Sequence, residues 1–268
     1  MHTLYRLMLK TRAALKADNL TEIRQIPETF PLTGIALKQR HAIVKGKPYV
    51  SPDLPLALTA YKGNIAFIDF ETLQTAVPKL DGFGPWAQIV FQVSCHVTDT
   101  KGEILKHNEW LADETHLSED LMLKAAAKAI IDSCVGCDTV VSYNMAFESA
   151  RIKELADRVP SQKEELLNVT ARMIDLLDTV QDNYYHQDFR GSLSIKSVLP
   201  VMVPSMAYEG MAVANGTDAI EAAREMLFGG HSKDLVDEIR ANLLAYCGQD
   251  TLAMVEIFKK LQEIAKAV

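Results

Sequence analysis

Two carboxylates close the apolar stretch "IAFIDFET", residues 65–72. Side chains alternate between the two faces of a strand, so Asp69 and Glu71 point the same way and Phe70, between them, points the other. At the usual rise per strand residue, their Cα atoms lie roughly 6.6 Å apart. Two like charges on one face of a core strand repel each other, and a bound cation or access to solvent relieves that repulsion. The pair is therefore a candidate site for cation-dependent chemistry.

Two further acidic residues stand beside specific partners. In "YNMAFE", Asn144 and Glu148 are four residues apart, which predicts a shared helix face near the helix N-terminus. In "YCGQD", Tyr246 and Asp250 have the same spacing on a second predicted helix. Taken singly, each acid is more typical of a surface or capping residue. The occurrence of all three motifs in one chain favours a shared acidic site.

The composition is that of a globular protein. The chain has 268 residues, of which 48% are hydrophobic, so a sizeable core can form. A net charge of −7 argues against a general nucleic-acid coat protein. It permits an enzyme acting on nucleic acid, because bound divalent ions reverse the local charge of an acidic site. The sequence has neither an apolar run long enough for a membrane span nor a secretory signal, and we expect a cytoplasmic protein.

Four cysteines raise the question of a zinc site. Cys134 and Cys137 form a CxxC pair, and His96 directly follows Cys95. Neighbouring residues of a strand point to opposite faces, so Cys95 and His96 do not form a second ligand pair of the usual kind. The sequence favours buried thiols over structural zinc, and so few cysteines fit a reducing compartment.

The elements that must position these residues begin near residue 64. Strands are predicted at "NIAFIDFE", "AQIVFQVSCHVTD" and "EILKHNEWLA", and the turn between the last two indicates an antiparallel hairpin set. Helix and strand patterns then alternate: a helix with Ser118 as N-cap, the strand "DTVVSYN", a helix ending near Pro160, and helices at "LSIKSVLP" and 217–227. The C-terminal sequence is long enough for two helices or one bent helix. This order predicts an α/β fold with a mixed sheet flanked by helices.

Residues 1–60 differ in pattern from the rest of the chain. A basic, helix-like start leads into a segment bounded by prolines, and the strand pattern begins only after it. We interpret 1–60 as an N-terminal arm or the remnant of an upstream domain, and 61–268 as the main domain. A chain that opens in this way fits a fragment of a longer protein or a short family member.

The motifs "DFET", "YNMAFE" and "YCGQD" resemble the three exonuclease motifs of the DEDD superfamily, which has a ribonuclease H-like fold. The tyrosine of the third motif is similar to that of the tyrosine-bearing branch. The likeness covers roughly residues 64–261. A closer likeness, in "FIDFET", "FQVSCH" and "GSLSIKSVLP", is to an uncharacterised bacterial domain family in which some members carry an upstream RecB-like nuclease domain. The resemblance implies a metal-dependent 3′→5′ exonuclease acting on single-stranded ends of DNA or RNA.

The resemblance also implies roles for the acidic residues. Asp69, Glu71 and Asp250 would hold one Mg²⁺ or Mn²⁺ ion, since carboxylate oxygens suit hard cations. Asp69 would be shared with a second ion that Glu148 supports. Tyr246 would orient the attacking water by a hydrogen bond. The second motif departs from the superfamily, where most members have aspartate at the position of Glu148. The longer side chain can reach the ion directly or through a water, or it can weaken activity.

Other residues are candidates for supporting roles. Asn144 would orient the glutamate of its own motif from the second coordination shell. Thr72 and Leu73, directly after the first motif, would contact the terminal nucleotide, as the resemblance implies. Trp86 is a candidate for stacking on a base, and Lys196 for contacting phosphate at a helix N-terminus. A core position for the tryptophan and a solvated lysine on an ordinary capped helix fit the sequence as well.

Two other functions fit the same residues. One is a nucleic-acid-binding or assembly module on the same fold that has lost efficient catalysis. The glutamate of the second motif is the reason to consider this alternative. The other is a phosphoesterase that acts on small nucleotides.

Overall fold

The computed structural model describes residues 4–5, 8–206, 208 and 210–268. The elements up to residue 142 are α1 (Leu9–Ala17), α2 (Gly34–Lys45), β1 (Tyr49–Val50), α3 (Leu54–Leu58), β2 (Ile65–Leu73), β3 (Ile89–Thr98), β4 (Ile104–Leu111), α4 (Glu119–Ser133) and β5 (Thr139–Ser142). The later elements are α5 (Ala146–Arg158), α6 (Lys163–Ala171), β6 (Met173–Asp175), α7 (Leu176–Asn183), β7 (Tyr184–Tyr185), α8 (Ile195–Met202), α9 (Gly216–Phe228) and α10 (Lys233–Ala265). Over the described ranges, no helix is both long and apolar enough to cross a membrane.

The described residues divide into two compact units. The first comprises Met1–Ala60, Leu177–Ala207 and Lys259–Val268, and the second comprises Tyr61–Leu176 and Tyr208–Phe258. The interpretation of residues 1–60 as an arm or a domain remnant stays a prediction, and residues 1–3 and 6–7 of that stretch lie outside the described residues.

The first unit contains a small antiparallel sheet in which β1 pairs with β7. Both tyrosines of β7 are buried, and the hydroxyl of Tyr185 accepts a hydrogen bond from the N–H of Gly191 at 2.9 Å. Near α1 and α2, a hydrophobic cluster forms a local core, composed of Leu4, Leu15, Ile23, Ile26 and Leu32.

The second unit is built on a mixed sheet, which in the described part of the chain has five strands in the order β4-β3-β2-β5-β6. β2, β3 and β4 are antiparallel neighbours, whereas β5 runs parallel to β2 and β6 runs parallel to β5. The hairpin set and the alternation of helices and strands agree with the sequence pattern. The predicted α/β class, with helices flanking a mixed sheet, is confirmed.

β3 is buried along its whole length because helices cover both of its faces. The thiol of Cys95 lies 3.6 Å from the carbonyl oxygen of Ser133 on α4. The next residue, His96, points the other way, and its Nδ1 atom lies 2.8 Å from Oγ1 of Thr251 on α10. The predicted opposite orientation of Cys95 and His96 is confirmed, and so is the burial of the four thiols.

The helix boundaries agree closely with local sequence signals. The Oγ atom of Ser118 accepts a hydrogen bond from the N–H of Leu121 at 3.3 Å, so the predicted N-cap of α4 is confirmed. The predicted helix at 217–227 corresponds to α9, whose N-cap Asn215 accepts hydrogen bonds from the N–H groups of Thr217 and Asp218. The C-terminal sequence forms one helix, α10, rather than two.

Candidate metal centre

Asp69 and Glu71 lie on the face of β2 that α10 covers. In the antiparallel register, Asp69 is opposite Ser94 and Glu71 is opposite Gln92 on β3. Directly opposed residues of antiparallel strands share a face of the sheet. The Nε2 atom of Gln92 donates to the carbonyl oxygen of Leu243 on α10 at 2.7 Å, which shows that this face is turned toward α10. The predicted common orientation of the two carboxylates is therefore confirmed.

Buried polar contacts fix α10 over this face. The Oγ atom of Ser94 and Oγ1 of Thr251 lie 2.9 Å apart, and His96 contacts the same threonine hydroxyl. Buried polar groups of this kind are nearly always paired, and the pairing fixes the relative position of the two elements. Thr251 directly follows Asp250, so these contacts also place Asp250 near the carboxylates of β2.

The carboxylates of Asp69, Glu71 and Asp250 converge, each offering one oxygen atom, and these atoms lie within 4.8 Å of one another. Asp250 is buried and the other two are half-buried. Burial raises the pKa of Asp69 well above its usual range, and the neighbouring charges of Asp250 and Glu71 raise it further. Removing carboxylates from water and placing them side by side disfavours the charged form, which is the physical cause of the shift.

Glu148 brings a fourth carboxylate to this centre. It lies in the first turn of α5, directly after β5, and parallel strands such as β5 and β2 end at the same edge of a sheet. Its charge contributes to the raised pKa of Asp69. The side chain of Glu148 is 5% exposed, and no described residue gives its Oε2 atom a hydrogen bond. Burial, reinforced by Asp175, raises the pKa of Glu148 to about 7.

The donor set fits a hard divalent cation. Carboxylate oxygens are the ligands that Mg²⁺ and Mn²⁺ prefer in proteins. A buried carboxylate oxygen without a partner is costly, and a cation beside Glu148 would remove that cost. A cation would also relieve the repulsion that raises the pKa of Asp69. The residues present thus fit the predicted Mg²⁺ or Mn²⁺, and the binding of one or two ions stays a prediction.

Tyr246 lies one helical turn before Asp250 on α10, as the four-residue spacing predicts, and is 4% exposed. Burial raises the pKa of its hydroxyl above its usual range, and the carboxylates of Asp250 and Glu71 add to the rise. At neutral pH the phenol keeps its proton. It can therefore donate a hydrogen bond.

Asn144 does not lie on the helix that carries Glu148. α5 begins at Ala146, and Asn144 precedes it with a left-handed backbone conformation, φ 69°. The N–H groups of Asn144 and Met145 donate to the two carboxylate oxygens of Asp175, each at 2.9 Å. The predicted common helix face is wrong, because the chain turns sharply between β5 and α5. An orienting role for Asn144 stays a prediction.

Sequence reasoning missed three residues of this centre. Asp175 ends β6 at the edge where β5 also ends, and a carboxylate after a short apolar strand was the signal that could have found it. The hydroxyl of Tyr208 donates to Oδ1 of Asp250 at 2.5 Å. The Sγ atom of Cys247 lies 3.7 Å from Oδ2 of Asp69. The last two contacts join distant parts of the chain and have no local sequence pattern.

The candidate substrate contacts have different surroundings. Thr72 and Leu73 are buried, at 6% and 2% exposure, because β2 continues through them after a register shift next to Glu71. Their side chains therefore lie mostly out of solvent. Trp86 is 64% exposed, which excludes the core alternative. Lys196 lies in the first turn of α8, in the first unit. Substrate binding by these residues stays a prediction.

Part of the chain matches a known family model. Residues 66–194, just under half of the chain, match the model described as "Domain of unknown function (DUF2779)". The matched stretch contains Asp69, Glu71 and Glu148, whereas Tyr246 and Asp250 lie after it.

Curated proteins from three bacteria are similar to a larger part of the chain. "Uncharacterized protein MG366" of Mycoplasma genitalium is 26% identical over 217 residues, which cover 75% of this chain and 32% of that protein. "Uncharacterized protein UU173" of Ureaplasma parvum is 26% identical over 229 residues, covering 76% and 32%. "Uncharacterized protein MG366 homolog" of Mycoplasma pneumoniae is 26% identical over 211 residues, covering 71% and 31%. The chain thus spans about a third of the length of the curated relatives it matches. No solved structure matches it.

Proposed function

We propose that this chain is a divalent-metal-dependent 3′→5′ exonuclease on a ribonuclease H-like fold, hydrolysing phosphodiester bonds at single-stranded ends of nucleic acid. The observation that carries the proposal is the convergence of Asp69, Glu71 and Asp250 from two distant segments, with the unpartnered Oε2 atom of Glu148 close by. The resemblance of the three motifs to those of the DEDD superfamily supports the same function. The arrangement of the mixed sheet is compatible with the proposed fold.

The carboxylates would bind cations and thereby bring an attacking water and a phosphodiester together. Asp69, Glu71 and Asp250 would hold one Mg²⁺ or Mn²⁺ ion, and Glu148 with Asp69 a second. Two such ions supply a nucleophilic water and stabilise charge on the attacking and leaving oxygens. Since the charges of Asp250, Glu71 and Glu148 all act on Asp69, its loss would affect both ions.

Tyr246 would orient the attacking water as a hydrogen-bond donor. Its hydroxyl is protonated at neutral pH, since the ordinary pKa of a phenol is about 10 and burial raises it further. The hydroxyl of the water would join the phosphorus as the bond to the leaving oxygen breaks, and the water's proton would reach that oxygen or the solvent. Tyr246 would contribute geometry rather than basicity. Trp86 is the proposed contact for a base.

We further propose that this activity works together with an upstream nuclease domain or with a partner chain. The relatives from Mycoplasma and Ureaplasma are about three times as long as the matched region. That length leaves room for further domains in those proteins, which is compatible with such an arrangement.

The direct test is degradation of 5′-labelled single-stranded DNA and RNA oligonucleotides with Mg²⁺, Mn²⁺ or a chelator. We expect a ladder of products shortened from the 3′ end that requires the cation. Asp69→Asn should abolish it, because the amide is a poor ligand at the position shared by both ions. The matched control is Asp132→Asn, which changes a surface aspartate paired with Lys128 and should leave the rate unchanged.

The outcomes separate the three candidate functions. Binding without shortening would favour the catalytically weak module, for which the glutamate in place of aspartate at position 148 is the specific observation. Hydrolysis confined to dinucleotides would favour the small-nucleotide phosphoesterase. Degradation by Asp69→Asn at the parent rate would exclude the proposed site.

A further inference from the structure

A second tyrosine contacts the acidic centre from a different part of the chain. Tyr208 lies in the connection between α8 and α9, and its side chain is 8% exposed. Its hydroxyl donates a hydrogen bond to Oδ1 of Asp250 at 2.5 Å. Forty-two residues separate the two, so this contact exists only in the folded chain. Neither the motifs nor the proposed mechanism gives Tyr208 a role.

The hydrogen bond has a direct geometric consequence for Asp250. The terminal torsion of an aspartate has a broad energy profile, so a free carboxylate rotates easily. A buried phenol that holds Oδ1 restricts this rotation and so fixes the plane of the carboxylate. Asp250 is itself 9% exposed, so the neighbouring residues also restrict the orientations of its carboxylate.

Tyr246 reaches the centre from a different direction along the chain. It lies on α10, the same helix as Asp250, and its distance from Asp250 is set by the helix. Tyr208 lies outside α10, so its hydrogen bond joins two separate segments of the second unit. The two phenols are therefore expected to differ in what their removal does.

We propose that Tyr208 is a positioning residue that holds the carboxylate of Asp250 ready for cation binding, an inference that rests on the proposed function. Hydrogen bonds to metal ligands typically change metal affinity by about 10- to 100-fold when they are removed. Tyr208 would not touch the substrate or the cation. It would act through Asp250.

The test is the affinity for Mn²⁺, measured by calorimetric titration of the intact chain at neutral pH. We expect Tyr208→Phe to weaken Mn²⁺ binding by about 10- to 100-fold. Raising the Mn²⁺ concentration should restore its degradation rate. Tyr246→Phe should lower the rate even at saturating Mn²⁺. Tyr61→Phe is the matched control, since Tyr61 is similarly buried and its ring packs against Phe258. It should leave the Mn²⁺ affinity unchanged.

Other results would overturn the inference in distinguishable ways. Tighter Mn²⁺ binding by Tyr208→Phe would show that the phenol competes with the cation. Unchanged affinity with a lower melting temperature in chelator would assign Tyr208 to packing alone. If the parent chain bound no Mn²⁺, the proposed function would fail together with this inference. If the parent bound Mn²⁺ and Tyr208→Phe bound it equally well, only this inference would fail.

Discussion

Glu148 has surroundings that differ from those of an ordinary surface acid. Its Oε2 atom is buried and has no hydrogen-bond partner among the described residues, and its pKa is raised to about 7 by burial and by Asp175. A charged group in such a position is normally neutralised or bound to a cation. The resemblance to exonucleases predicts aspartate here, so the extra methylene of glutamate is the feature to test.

Substitutions of Glu148 should separate charge from reach. Glu148→Gln keeps the size and removes the charge, and we expect a loss of degradation of at least about 100-fold, more than the loss of a hydrogen bond to a ligand causes. Glu148→Asp withdraws the carboxylate by one methylene and should also slow the reaction. The backbone of α5 fixes the position of residue 148, so the shorter side chain would not reach as far. Single-turnover rates at saturating Mn²⁺ measure both. A Gln variant as active as the parent would remove Glu148 from the proposed site.

At the scale of elements, the hairpin of β2 and β3 and the helix α10 position the centre. Side chains of β3 hydrogen-bond to Leu243 and Thr251 of α10, which fixes the helix along the strand. The loop between β2 and β3 is held by Arg158 of α5. The guanidinium of Arg158 lies 4.2 Å from the ring centroid of Phe83 and donates to the carbonyl oxygen of Gly82 at 3.1 Å.

Trp86 lies in the same loop and combines an exposed side chain with an unusual backbone conformation. Its backbone N–H donates to the carbonyl oxygen of Thr75 at 2.8 Å, near the end of β2, yet its side chain is 64% exposed. Its backbone φ of 61° is rare for a bulky residue and costs free energy, which the surrounding loop must offset. An exposed indole held in a costly conformation in the loop that follows β2 fits the proposed stacking on an unpaired base.

Trp86→Ala should therefore weaken the binding of single-stranded oligonucleotides by about 1–3 kcal/mol, or roughly 5- to 150-fold. Titrations in the Asp69→Asn background avoid degradation during the measurement. The chain has two tryptophans, and their fluorescence can be measured separately. In Trp110→Phe the fluorescence comes from Trp86 alone, and in Trp86→Phe it comes from Trp110 alone. We expect oligonucleotides to quench the fluorescence of Trp110→Phe and to leave that of Trp86→Phe unchanged. Equal affinity of Trp86→Ala and its parent would rule out the stacking contact.

At the scale of the whole molecule, the acidic centre lies entirely in the second compact unit, Tyr61–Leu176 with Tyr208–Phe258. Its carboxylates repel one another when no cation is bound, so the cation should stabilise the folded state. At a free Mn²⁺ concentration 100 times the Kd, binding contributes about 2.7 kcal/mol, and we expect the melting temperature to rise by roughly 5–10 °C. A chelator should reverse the rise, and Asp69→Asn should not show it.

The same centre gives the stability a predictable pH dependence. The pKa of Glu148 is raised from 4.5 to about 7 on folding, and that of Asp69 is raised in the same direction. A raised carboxyl pKa means that the folded state binds protons more tightly, so this contribution is fully present below 4.5 and is lost as the pH rises through about 7. The metal-free melting temperature should fall over this window, and the rise caused by Mn²⁺ should grow. A pH-independent Mn²⁺ effect would contradict this assignment.

The amino-acid sequence by itself determined the α/β class, the hairpin set, the cap of α4 and the common face of Asp69 and Glu71. These features depend on alternation, helical spacing and capping, which involve residues close together in the chain. It also predicted that the three acidic motifs share a site. It misplaced Asn144, because the left-handed turn before α5 leaves no trace in a four-residue spacing.

Only the tertiary structure decided how close the carboxylates come and what else touches them. The contacts of Asp250 with Tyr208, of Asp69 with Cys247 and of Asp175 with the start of α5 join segments that are far apart along the chain. The burial of Thr72 and the exposure of Trp86 were decided in the same way, by what packs over each residue. The physical reason is that burial, and with it the pKa of every acid in the centre, depends on neighbours that local sequence does not specify.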